Sequence, residues 1–182
     1  VGAHNNDGNG ANSGHVRVYA WNGSAWVQRG VDLNGEAASD NFGVALSMSQ
    51  DGTKLAVGAR YNDAGGSNAG HVRVFNWNGS SWVQMGADID GFQVDMAFGS
   101  AVSISNTGTR VAIGTPLYNG TIGDQGLARV YNYNGSSWSQ IGQDIIGEAI
   151  DDRSGYSVAI SPDGTVVAIG APLNDENGEG SG

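Results

Sequence analysis

Gly14-His15-Val16-Arg17-Val18-Tyr19-Ala20-Trp21-Asn22-Gly23-Ser24-Ala25-Trp26 returns 56 residues later as Gly70-His71-Val72-Arg73-Val74-Phe75-Asn76-Trp77-Asn78-Gly79-Ser80-Ser81-Trp82. After another 56 residues come Gly126-Leu127-Ala128-Arg129-Val130 and Asn134-Gly135-Ser136-Ser137-Trp138. A fixed period of this length marks a repeat architecture, in which a unit cannot bury its apolar faces alone and its neighbours cover them. Phe42-Gly43, Phe98-Gly99 and Ser154-Gly155 keep the frame, as do Val1-Gly2-Ala3, Val57-Gly58-Ala59, Ile113-Gly114-Thr115 and Ile169-Gly170-Ala171. The chain divides into residues 1–14, the end of a preceding unit and its connecting loop, and repeats at 15–70, 71–126 and 127–182.

Each unit holds four strand candidates, and nothing reads as a helix. In the first unit they are His15 to Trp21, Ala25 to about Val31, Phe42 to Ser49 and Lys54 to Ala59. Asn22-Gly23 between the first two predicts a hairpin with a type I′ turn, which needs positive φ at both central residues. Asp51-Gly52, Thr107-Gly108 and Asp163-Gly164 predict further tight turns. In the first strand Val16 and Val18 point one way, Tyr19 and Trp21 the other, so both faces are apolar. A sheet with one wet face would alternate more cleanly. The expectation is all-β: four-stranded antiparallel sheets stacked as β-propeller blades, three full ones plus the start of a fourth. A β-solenoid or a row of paired sandwiches are the other architectures open to this pattern. Three blades cannot close a ring, so the segment belongs to a larger propeller or to one completed by several copies. Val1 in place of Met, with no leader after it, reads as an excerpt of a longer protein.

Composition sets limits on function. Asp and Glu number 18 against 8 Lys and Arg, a net charge of −10, which argues against a nucleic-acid backbone or an anionic lipid surface as partner. No apolar run approaches the length of a membrane span, so no membrane insertion is expected. The absence of Cys removes disulfides, thiolate metal sites and thiol nucleophiles. Gly supplies 31 of the 182 residues but Pro only 3, which excludes a collagen-like chain.

The segments from Phe42-Gly43 to Gly58-Ala59, from Phe98-Gly99 to Gly114-Thr115-Pro116 and from Gly155 to Gly170-Ala171-Pro172 resemble FG-GAP repeats, the blades of the integrin α-subunit propeller. The resemblance covers essentially the whole chain and implies an extracellular or cell-surface propeller. His4 and Arg60 stand where Pro116 and Pro172 carry the motif, and Ser154 replaces its Phe. Many such blades bind calcium through an Asp-x-Asp-x-Asp-Gly loop between the two elements. Here that interval closes in short turns with too few oxygen ligands for the ion, so those sites do not carry over.

Candidate sites lie elsewhere. Asp7, Asn9, Asp63, Asp175 and Asn177 sit in loops rich in oxygen ligands and are weak calcium candidates; the same residue types are also ordinary turn formers. Asn22, Asn78, Asn134 and Asn119 each begin a glycosylation acceptor pattern, three of them at the same hairpin tip. Trp26, Trp82 and Trp138, together with Phe42 and Phe98, are expected to pack between units. Arg17, Arg73 and Arg129 recur on first strands, with Asp32, Asp88 and Asp144 after the second strands. An unpaired buried charge is costly, so each arginine is expected to meet a carboxylate or carbonyls. His15 and His71 become Leu127, which argues against a repeated catalytic base. No nucleophile elbow, phosphate loop or metal-spaced His cluster is present, so neither an enzyme nor a resident cofactor is expected. A site is expected where one unit departs from the others. The functional expectation is a non-enzymatic adhesion or scaffolding module meeting protein or glycan at the cell surface. A carbohydrate-binding propeller and a self-associating filament or appendage subunit are the alternatives.

Overall fold

A computed structural model of the chain describes residues 1–120, 123–176, 178, 181 and 182. Among them there is no helix. In chain order the strands begin with β1 (Gly2–Ala3), β2 (His15–Val16), β3 (Tyr19–Trp21), β4 (Trp26–Gln28) and β5 (Leu33–Asn34). Then come β6 (Phe42–Met48), β7 (Lys54–Ala59), β8 (His71–Trp77), β9 (Trp82–Gln84) and β10 (Ile89–Asp90). The last are β11 (Ala101–Ile104), β12 (Arg110–Thr115), β13 (Leu127–Tyr133), β14 (Trp138–Ile146), β15 (Ser157–Ile160) and β16 (Val167–Gly170).

All strand pairs are antiparallel. β10-β8-β7-β6, with β9 also on β8, forms one sheet, and β11-β12-β13-β14 forms the next. Before them lie β1-β2-β5 and the hairpin β3-β4, and after them the pair β15-β16. The sheets are therefore out of phase with the 56-residue units. Each complete sheet joins the third and fourth strands of one unit to the first and second of the next, so divisions at 15–70, 71–126 and 127–182 cut sheets between β7 and β8 and between β12 and β13. Two sheets are complete, where the sequence was expected to give three. The reason lies in the connections. Residues 60–70 turn the chain straight back so that Ala59 pairs with His71, whereas residues 35–41 leave one sheet to start the next.

The hairpin turns differ from the expected type I′ in one respect. Gly23 has φ 103°, but Asn22 keeps a negative φ. Its side chain closes the turn instead: Asn22 Oδ1 accepts from the backbone N–H groups of Ser24 and Ala25, both at 2.9 Å. Asn78 and Asn134 do the same.

The central sheet is covered on both faces. Leu55, Val57 and Phe75 meet Val16, Val18 and Phe42 on one side. Ala56, Val72 and Val74 meet Phe98, Val102 and Ile113 on the other. Three contacts recur between consecutive sheets and fix their spacing. Gly58 lies against the Gly99 carbonyl so closely that a Cβ would collide with it, and Gly2 with Gly43 and Gly114 with Gly155 repeat the approach. This is a physical reason for the paired Gly motifs. The Trp82 indole donates to the Arg29 carbonyl at 2.8 Å, and Trp138 donates to that of Met85 at 2.6 Å. The Ser47 hydroxyl accepts from the Ile104 N–H and that of Ser103 from Ile160, both at 3.0 Å.

Candidate functional site

The three first-strand arginines start from equivalent positions and reach different partners. Arg17 donates to both oxygens of Asp32 at 2.9–3.0 Å. Arg129 forms a two-point pair with Asp144 at 2.6 and 2.8 Å, and these bonds hold the Asp144 carboxyl below its usual range. Arg73, between them, makes no ion pair with Asp88. Its Nη2 donates to the Asn34 carbonyl at 2.6 Å, Nη1 lies 3.5 Å from Glu36, and the guanidinium stacks 4.1 Å above Phe42. Planar, weakly hydrated guanidinium suits such stacking.

The consequence falls on His71. It is fully buried at the start of β8, with neither ring nitrogen hydrogen-bonded. Nδ1 lies 3.7 Å from Asp88 Oδ2 and 4.0 Å from Asp90 Oδ1, beyond hydrogen-bond reach. Burial, followed by the neighbouring Arg73 charge, pushes the imidazole down to about 4, so it is neutral at neutral pH. Burial raises the carboxyls of Glu36 and Asp90 above their usual range and lowers the Arg73 guanidinium. Asp88 accepts from Gln84 Nε2 at 2.6 Å. Buried Asp40 accepts from the N–H groups of Glu36 and Ala37 and from Asn62 Nδ2. Three carboxylates, Glu36, Asp40 and Asp88, thus surround one guanidinium, and Asp90 lies beside Asp88. Among the described residues, Glu36, His71 and Asp88 form a group whose ligand atoms all lie within 4.8 Å of one another, a donor set able to hold a metal ion.

The other expected sites fall apart from this cluster. Asp7 Oδ1 accepts from the Asn12 N–H and Asp63 Oδ1 from the Asn68 N–H, both at 2.8 Å, so these carboxylates build turns. Asn9 donates to the carbonyls of Gly35 and Glu36. Asp175 begins a turn closed by the Gly178 N–H, while Asn177 lies outside the described residues. Asn22, Asn78, Asn134 and Asn119 are exposed, and Thr121 of the last acceptor pattern lies outside the described residues. Phe42 and Phe98 are fully buried. Trp82 and Trp138 are half-buried, whereas Trp26 is 68% exposed.

Glu36 and Asp90 did not emerge from the sequence reading as site residues, and His71 was set aside because Leu127 replaces it. The signal was present in the alignment of the units. Glu36 corresponds to Phe92, Asp40 to Met96, His71 to Leu127 and Asp90 to Ile146. The same boundary is acidic in one place and apolar in the next.

A family model described as FG-GAP repeat matches residues 34–75 and 147–182. No curated protein matches the chain.

Proposed function

We propose that this chain, which carries FG-GAP repeats, is a run of β-propeller blades serving as a non-enzymatic adhesion or scaffolding module at the cell surface. The observation that supports this reading most is the set of inter-sheet contacts repeated every 56 residues, from the paired glycines to the tryptophan indoles. Such contacts stack sheets at a constant spacing and leave the hairpin tips to solvent, as a binding scaffold requires. The exposed Asn22, Asn78 and Asn134 hairpin tips would accept glycans without disturbing the stack. The test is adhesion of whole cells to a surface coated with the folded chain, beside the same surface coated with heat-unfolded chain. Saturable retention by the folded coat alone is expected. Equal retention on both surfaces would overturn the proposal, and glycan-array binding lost on tryptophan substitution would move it to a lectin.

Self-association is a second reading, favoured by one observation. Trp26 occupies the position at which Trp82 and Trp138 are covered, yet it lines an open apolar groove with Val18, Tyr19, Leu46 and Met48. A second copy seated there would cover it. Mass photometry showing only single chains at micromolar concentration would exclude that arrangement.

A further inference from the structure

We propose that Glu36, His71 and Asp88 bind one divalent first-row transition-metal ion, with zinc the best fit, at the boundary between the first two sheets. Imidazole with carboxylates is a donor set for such ions, whereas calcium and magnesium prefer oxygen alone. Bonds of about 2.0–2.1 Å in a tetrahedral site place ligand atoms about 3.3 Å apart. The 3.7 Å from His71 Nδ1 to Asp88 Oδ2 is close to that, and Glu36 closes the remaining gap by a side-chain movement of up to about 1.5 Å.

Two independent features point to a cation. The first is the fully buried His71 ring, whose nitrogens have no hydrogen-bond partner and which faces Asp88 and Asp90. Buried polar atoms without partners are rare, and each calls for a reason. The second is the charge balance: Arg73 opposes Glu36, Asp40 and Asp88, with Asp90 beside Asp88, and it is already held by the Asn34 carbonyl, the Glu36 carboxylate and the Phe42 ring. Neither feature exists at the next boundary, where Leu127, Phe92 and Ile146 occupy the corresponding positions. The repeated frame folds with Leu there, so His71 is not needed for stacking.

The test is titration of the metal-stripped 182-residue chain with zinc chloride, followed by calorimetry and thermal melting. One zinc per chain is expected, with a raised melting temperature. His71→Leu, which copies the residue at position 127, is expected to keep the fold and weaken binding by at least about tenfold. Asp88→Asn and Glu36→Gln are expected to weaken it as well, and His15→Leu to leave it unchanged. Cobalt(II) is expected to give the strong visible bands of a tetrahedral site in the wild type and to lose them in His71→Leu. Glu36 is exposed, so Glu36→Gln decides the matter if His71→Leu does not fold. No heat above buffer, unchanged binding by the His71→Leu chain, or displacement of cobalt by equimolar calcium would each overturn the proposal.

Discussion

The boundary around Arg73 and the boundary around Arg129 are built on one frame and filled differently. Both carry the paired-glycine approach and the indole-to-carbonyl bond. At the first, Asp40 is joined to Asn62, and Glu36, Asp88 and Asp90 gather near His71. At the second, Met96 and Tyr118 stand where Asp40 and Asn62 would, and Phe92 lies under Arg129 at 3.5 Å. Arg129 keeps its own carboxylate, Asp144, whereas Arg73 is drawn to the preceding unit by Asn34 and Glu36. The difference separates two roles. Contacts common to both boundaries hold the sheets together; the Asp40–Asn62 pair returns as Asp152–Asn174 and Glu36 as Glu148, which leaves His71 and Asp90 as the residues particular to the first boundary.

The sharpest way to break this comparison is to make the apolar boundary acidic. Met96→Asp places a carboxylate at a fully buried apolar position and is expected to cost about 4 kcal/mol. Adding Tyr118→Asn recreates the Asp–Asn pair and is expected to recover about 1 kcal/mol. Urea denaturation measures both, and a cost below about 1 kcal/mol for the single change would mean that the two boundaries are interchangeable.

Next in size is the frame itself. Trp82→Ala and Trp138→Ala each remove a half-buried ring and an indole bond, and each is expected to cost about 2–4 kcal/mol. Trp26→Ala, at the exposed equivalent, is expected to cost less than about 0.5 kcal/mol. Equal losses at all three positions, by the same denaturation experiment, would show that packing within the hairpin matters and stacking does not.

The acidic boundary also predicts a pH dependence. His71 falls from 6.5 to about 4 on folding, so above pH 6.5 the ring is neutral in both states. As pH drops from 6.5 toward 4, the unfolded chain takes up a proton that the folded chain refuses, and stability falls. The loss is expected to reach roughly 2–3 kcal/mol across that window and to be absent from His71→Leu. Melting curves between pH 4 and pH 7, taken as the difference between the two chains, isolate it from the carboxylates.

The serine contacts carry a smaller effect than the tryptophans at covered positions. Ser47→Ala and Ser103→Ala each leave a part-buried backbone N–H without its hydroxyl acceptor and are expected to cost about 1 kcal/mol. Position 159, the next in the series, is already Ala.

The strand content was legible in the sequence because Val and aromatic residues recur between Asn-Gly turns. The sheet boundaries were not. A period gives the length of the unit but not the point at which backbone pairing closes, and only the tight return from Ala59 to His71 decides that fourth and first strands share a sheet. The hairpin was legible and its turn was not, since the Asn22 side chain does the closing that a positive φ was expected to do. The arginine series was legible as a set of charges that meet carboxylates or carbonyls, although Arg17 is exposed where a charge inside the sheet was expected. Its split into different pairings was not, because Glu36 and Asn34 reach Arg73 from 37 and 39 residues away in the chain.

The most direct test of the acidic boundary is long-range proton–nitrogen NMR of the His71 ring across pH. A neutral imidazole down to about pH 5, with a midpoint near 4, is the predicted result. A midpoint at the 6.5 of a solvated imidazole would contradict the burial and the missing hydrogen-bond partners on which the site depends.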